Sequence, residues 1–133
     1  MSTIALFVVC ALGAFGETVD LSGTWNLAGA DQLKRTIDCP ITVPGGIHSA
    51  LLAAGLMPDT FKEDNEFETA WVSRRDWTVS RTFDVPDELL SRKEIILRLE
   101  DCDTFCTVRA NGQEVGKTSS CVSRTATPSA RFA

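Results

Sequence analysis

A chain of 133 residues with 44% hydrophobic and 23% charged residues has the balance of one ordinary globular domain, which excludes wholesale disorder. The net charge is −5, and the only adjacent arginines, Arg74 and Arg75, are an isolated pair followed by Asp76. That excludes a nucleic-acid partner, because neutralising phosphate requires clustered Lys and Arg.

Ile4 to Gly16 (IALFVVCALGAFG) is an uninterrupted apolar run of 13 residues at the very start of the chain. A membrane-spanning helix needs about 20 such residues. The run is followed by Glu17, and Ala14 and Gly16 are small residues of the kind a signal peptidase accepts. Residues 1–16 are therefore expected to be a secretory signal cleaved after Gly16. The Met-Ser-Thr start departs from the usual pattern in having no Lys or Arg, and the competing reading is a buried strand or an uncleaved anchor. No later segment is apolar enough to cross a bilayer.

Cleavage would leave 117 residues with Cys39, Cys102, Cys106 and Cys121. Four cysteines in a secreted chain permit three disulfide connectivities. Cys102 and Cys106 are a poor pair on one extended strand, where they would stand about 13 Å apart against the roughly 4.4–6.8 Å that a bridge needs. They have no second pair and no nearby His to complete a zinc site. Buried thiols are expected, with no metal and no cofactor.

Leu21 to Leu27 (LSGTWNL) reads as a short strand with Trp25 facing the core. Ala28 to Asp38 is polar and reads as a loop or hairpin return. Cys39 to Pro44 is bracketed by prolines, which suits an edge strand, and Gly45-Gly46 allows a sharp turn. Ile47, Ala50, Leu51 and Ala54 fall at i, i+3, i+4 and i+7. With Gly55 as cap and Pro58 as stop, they predict a helix of two or three turns. It is too short to stand alone and must dock on a sheet. Pro58 to Glu68 is turn-rich and acidic, a surface loop. From Trp71 to Val85 strand character returns. Trp77, Val79, Phe83 and Val85 share one face, and Arg81 intrudes on it.

Pro86-Asp87 ends that strand, and Glu88 to Ser91 makes a brief helical turn. Glu94 to Leu99 is a strand with Ile95, Leu97 and Leu99 inward. Thr104 to Ala110 is another, with Phe105 and Cys106 on opposite faces. Asn111-Gly112 is a strong hairpin signal, since both central positions of a type I′ turn need positive φ. Gln113 to Lys117 returns along it. About six short strands and one useful helix predict a mainly β, antiparallel sandwich. Residues 119–133 have no periodicity and read as an irregular tail.

The motifs are mostly ordinary. Gly112 to Thr118 (GQEVGKT) is one residue short of a phosphate-binding loop, and its first glycine closes a hairpin. His48 is the only histidine and sits beside Ser49, but neighbours on a helix point apart and no G-x-S-x-G elbow exists. Acids gather at Asp59, Glu63, Asp64, Glu66 and Glu68, and again at Glu100, Asp101 and Asp103. Two carboxylates cut a glycosidic bond only when held about 5 Å or 6.5–9.5 Å apart, and proximity in a loop does not secure that. Trp25, Trp71 and Trp77 lie in strand-like runs, which favours core packing over stacking on sugar rings.

Four segments carry a family resemblance. They are LSGTWNL, VPGGIHSALLAAGLMPD, DNEFETAWVSRRDWTVSRTFDVP and LEDCDTFCTVRANGQEVGKT, in order and covering roughly three-quarters of the chain. Together they resemble the N-terminal sugar-binding-type domain of β-mannosidases in glycoside hydrolase family 2. The resemblance implies a jelly-roll-like (galactose-binding-like) β-sandwich over residues 17–118, incomplete where the family pattern breaks near Ser119. It implies a partner in the remaining domains of a full enzyme, a β-mannoside carbohydrate context, and a secreted or lysosomal location. In the family, terminal β-D-mannose is removed with retention by two glutamates of a later (β/α)₈ barrel. Such a barrel takes about 250 residues, so this chain is expected to hold no catalytic residue and to be inactive alone. Related enzymes send a loop from the first domain toward the barrel, and Asn65 and Glu66 are the candidate substrate-binding residues. Asn65 offers a sugar hydroxyl both a donor and an acceptor. The alternative is a free-standing secreted carbohydrate-binding module with Trp71 or Trp77 as its platform. A third is a secreted protein that dimerises through an unpaired edge.

Overall fold

The structure, a computed structural model, describes residues 9–10, 18–59, 62, 65–91, 96–99, 105–118 and 124–126. In chain order the described strands and helices are β1 (Val9–Cys10), β2 (Thr18–Val19), β3 (Gly23–Ala30), β4 (Thr36–Val43), α1 (Ile47–Ala53) and α2 (Asn65–Thr69). They continue with β5 (Thr78–Ser80), α3 (Asp87–Leu90), β6 (Ile96–Leu99), β7 (Cys106–Ala110), β8 (Gln113–Thr118) and β9 (Arg124–Ala126). Every pairing is antiparallel. The strands form one sheet ordered β2-β1-β6-β9, one ordered β4-β3-β5, and the β7-β8 hairpin.

The pleat explains the central hairpin. Along β4 every second residue is apolar, and every second one is buried: Ile37, Cys39, Ile41 and Val43. Trp25 and Leu27 of β3 face the same way. These side chains share one core with Leu51 of α1, Val72, Trp77, Leu97 of β6 and Val108 of β7. Residues of separate sheets meeting in one cluster make the fold a two-layer β-sandwich. Full burial stabilises each large aliphatic side chain there by about 1.5–3 kcal/mol. The predicted mainly β, antiparallel class is the observed one.

Several local expectations change. Of the two readings of Ala28 to Asp38, loop or hairpin return, the structure has the hairpin: strand continues on both sides and only Asp31 to Arg35 turn. The cause is Asp31, whose carboxylate accepts the N–H groups of Leu33 at 2.8 Å and Arg35 at 2.9 Å, and the Arg35 Nε at 2.6 Å. One side chain thus closes a loop that would otherwise need more residues. Pro40 sits in mid-strand rather than at a margin. It is tolerated because β4 lies at the sheet edge, as the prolines predicted.

The segment from Trp71 to Val85 is not one strand. Val72–Arg74 form a 3₁₀ turn, and only Thr78–Ser80 pair, with β3. The Trp77 indole donates to the Val72 carbonyl at 2.8 Å and folds the chain back over that turn. The parity still holds, with Trp77 and Val79 buried and Phe83 and Val85 half-buried. Arg81, the intruder, is exposed and donates Nη1 to the carbonyls of Leu21 at 3.2 Å and Ser22 at 2.9 Å.

The acidic segment expected as pure loop contains α2. α1 runs as predicted and ends in a Schellman motif: Leu56 N–H reaches the Leu51 carbonyl at 2.9 Å, and Gly55 N–H the Leu52 carbonyl at 3.0 Å. The β7-β8 hairpin turns through Asn111 at φ 50° and Gly112 at φ 79°, as foreseen. Phe105 is exposed and Cys106 buried, as the alternation predicted. Of the three inward residues expected on the preceding strand, Leu97 is buried, and the other two side chains lie outside the described residues.

Both termini contribute short strands: the C-terminal one falls where no strand was expected, and the N-terminal one falls where a buried strand was only the competing reading. Arg124–Ala126 pair with β6, within the stretch read as an irregular tail. Val9–Cys10 pair with β2 on one side and β6 on the other, within the stretch read as a signal.

Candidate functional site

Asn65 and Glu66 open α2, where a compact loop delivers them. Asn65 N–H donates to the Lys62 carbonyl at 3.3 Å, and its Nδ2 donates to the Asp59 carbonyl at 2.9 Å. Below it, buried Thr69 donates its hydroxyl to the carbonyls of Asn65 at 2.9 Å and Glu66 at 3.3 Å. Asn65 is half-buried, whereas Glu66, Phe67 and Glu68 are exposed. The two candidate residues are chain neighbours, and the structure commits the Asn65 amide nitrogen to holding the loop. Its Oδ1 and the Glu66 carboxylate remain as acceptors for a ligand hydroxyl. Glu63, Asp64, Glu100, Asp101 and Asp103 lie outside the described residues, as do Cys102 and Cys121.

The tryptophans serve the core. Trp25 donates its indole N–H to the Leu21 carbonyl at 2.7 Å, and both Trp25 and Trp77 are buried. Trp77 is 0% exposed and offers no ring face to a sugar. Trp71 is half-buried and leans on Trp77, with centroids 6.0 Å apart and planes tilted by 44°. His48 and Ser49 are exposed on α1. Among the described residues no three His, Cys, Asp or Glu side chains gather to hold a metal ion. Among them, too, no helix is long and apolar enough to cross a membrane.

A second feature went unread in the sequence. The face of β3, β4 and β5 turned away from the core carries an open hollow of about 520 Å³, lined in part by Thr24, Asn26, Asp38, Pro40, Ser80 and Thr82. Thr24, Asn26, Asp38 and Pro40 alternate with buried residues along β3 and β4, so their outward parity was legible, but the strand pairing that gathers them was not. Elsewhere among the described residues the electrostatics are set by local contacts. The Ser22 backbone N–H and hydroxyl, donating to Asp20 at 2.9 and 2.8 Å, hold its carboxyl below the usual carboxylate value, with help from the Arg81 charge. For Asp31 burial opposes ionisation, but the Arg35 and Leu33 hydrogen bonds and the Arg35 charge outweigh it, so its carboxyl is also held low. Burial, reinforced by the neighbouring Asp38 charge, pushes the Cys39 thiol up.

Residues 25–126 match the family described as glycosyl hydrolase 2 galactose-binding domain-like. The chain is 30% identical over 121 residues to a β-mannosidase of Rattus norvegicus, covering 90% of this chain and 13% of the relative. It is 33% identical over 110 residues to a probable β-mannosidase of Caenorhabditis elegans, covering 83% of this chain and 12% of that one. Among solved structures, a β-D-mannosidase from Dictyoglomus thermophilum superposes with a TM-score of 0.75 at 30% identity, over 86% of this chain and 14% of that chain. The chain thus spans about an eighth of the length of the relatives it matches. With the match reaching across β3 to β9, the chain belongs to the glycosyl hydrolase 2 galactose-binding-like domains, as a homologue of the N-terminal domain of β-mannosidases.

Proposed function

We propose that this chain is the non-catalytic N-terminal β-sandwich of a β-mannosidase-like glycoside hydrolase that removes terminal β-D-mannose from oligosaccharides or glycoproteins. The observation that carries the reading is the correspondence of almost the whole chain to about an eighth of proteins named β-mannosidase.

A chimera tests this. The corresponding N-terminal segment of the rat relative is replaced by residues 17–133 of this chain, and release of nitrophenol from 4-nitrophenyl β-D-mannopyranoside is followed. The chimera is expected to turn over substrate, and the 133-residue chain alone to release none. A folded but inactive chimera, or an active isolated chain, overturns the reading.

Within that enzyme, Glu66 and the Asn65 Oδ1 are the groups that would face substrate from α2. Glu66→Gln in the chimera is expected to raise KM roughly ten- to a hundredfold, the scale of one hydrogen bond to a charged group. An unchanged KM would remove this role. The apolar run of residues 1–16 would export the protein to a secreted or lysosomal location. Mass spectrometry of protein recovered from medium is expected to find Glu17 as the first residue.

A further inference from the structure

The chain has three asparagines, and their surroundings differ. Asn26 lies in β3, paired with Pro40 on one side and Ser80 on the other, and buried Leu27 follows it. Asn65 is half-buried, with its Nδ2 held by the Asp59 carbonyl and Glu66 after it. Asn111 stands exposed at the tip of the β7-β8 hairpin, and exposed Gly112 follows it. The space around Gly112 is open, with no atom beyond its chain neighbours within 4 Å of where a Cβ would stand. Among the described residues neither the Gly112 N–H nor the Asn111 side-chain amide has a hydrogen-bond partner.

We propose that Asn111 is a modification site, where spontaneous deamidation through a cyclic imide with Gly112 turns the hairpin tip into an isoaspartyl link and frays β7 from β8. The Gly112 nitrogen gives its proton to base and bonds to Cγ of Asn111. The Cγ–Nδ2 bond breaks, and the side-chain nitrogen takes up a proton and leaves as ammonia. Water then opens the ring at one of its two carbonyls, and the released nitrogen regains a proton. Opening at Cγ leaves aspartate in an ordinary main chain. Opening at the backbone carbonyl leaves isoaspartate, whose main chain runs through Cβ and Cγ. Nothing is oxidised or reduced, and water is the one co-reactant.

The consequence lies in the hairpin. A tight two-residue turn works because its backbone twist matches that of the flanking strands. The isoaspartyl link inserts a methylene into that turn, so the match is lost. The pairs nearest the tip, Ala110 with Gln113 and Arg109 with Glu114, open first, since the register already shifts between Val108 and Arg109. Deeper in β7, Cys106 and Val108 are buried, which limits how far the fraying runs. The new carboxylate also stands near Glu114, on a chain whose net charge is already −5. None of this depends on the enzyme reading, since the chemistry needs only the hairpin.

The test incubates the 133-residue chain in mildly alkaline buffer and digests timed samples with trypsin. The peptide Ala110–Lys117 (ANGQEVGK) is resolved by liquid chromatography and mass spectrometry into its asparaginyl, aspartyl and isoaspartyl forms. Isoaspartate is expected to accumulate at position 111 roughly tenfold faster than at Asn26 or Asn65, about 1.4 kcal/mol in barrier. The aged chain, separated from fresh protein by its extra negative charge, is then followed by amide exchange. The amides of Arg109, Ala110, Gln113 and Glu114 are expected to lose protection. The variant Asn111→Asp adds the charge without the methylene and is expected to keep it. The proposal is overturned by a peptide that stays asparaginyl, by equal rates at the three asparagines, or by unchanged protection in the aged chain. Equal fraying in Asn111→Asp would also sink it, by assigning the effect to charge. The chimera assay reads the enzyme proposal, so the two can fail separately.

Discussion

Gly29 is where β3 meets the face of Trp77. A Cβ built there would stand 2.5 Å from Cε3 and 2.7 Å from Cζ3 of the indole, closer than carbon atoms approach. The ring is fully buried and tied by its N–H to Val72, so it has little freedom to yield. Gly29→Ala is expected to cost about 1–3 kcal/mol by overpacking, read as a lower urea midpoint at unchanged slope. Asp20 and Asp31 give a second expectation. Both carboxyls ionise more readily in the folded chain than at the usual value of 3.8. The unfolded chain therefore binds more protons in acid, and stability rises with pH in that range. Their contribution is complete above the unfolded value of about 3.9 and is lost as pH falls through the folded values. Replacing both by Asn should flatten the acid limb of a thermal-melt series between about pH 5 and 2. Parity along the chain revealed that Trp77 and Val79 were core residues and that Arg81 was out of place. It could not reveal that Arg81 reaches carbonyls some sixty residues earlier. Nor could it show that Gly29 makes room for a ring. Both depend on tertiary neighbours that no local pattern encodes.

At the scale of elements, local chemistry predicts best where it acts alone. The β7-β8 turn places Gly112 at φ 79°, a region in which a side chain strains the backbone. Gly112→Ala should cost about 1–2 kcal/mol, seen as a lower melting temperature with the same two-state profile. Asn111-Gly112 was readable because a type I′ turn leaves few alternatives. The apolar face of α1 and its stop were readable for the same reason. The β3-β4 segment was left between a loop and a hairpin return because polar residues signal both loops and outward strand positions, and the Asp31 contacts decide for the hairpin. The Trp71 segment was misjudged because its apolar spacing serves a 3₁₀ turn and a strand in succession. The candidate residues Asn65 and Glu66 came from resemblance, not periodicity. The structure adds that the Asn65 amide closes a loop.

At the scale of the molecule, one core joins residues of separate sheets, and the class of fold was evident from short strands and turn signals. The seams at the termini were not, because two- and three-residue strands carry no period to detect. One of those seams has a consequence for maturation. Val9–Cys10 are the partner that β2 and β6 share. Under the proposal that residues 1–16 are a cleaved signal, export and completion of this sheet would compete for the same few residues. A processed molecule would have to zip β2 onto β6 directly or leave that flank of Leu97 bare to solvent. Amide exchange should report the difference, with the backbone of Ile96 and Leu97 better protected in the 1–133 form than in the 17–133 form. Processing would then set how firmly the second layer is closed, as well as where the protein travels.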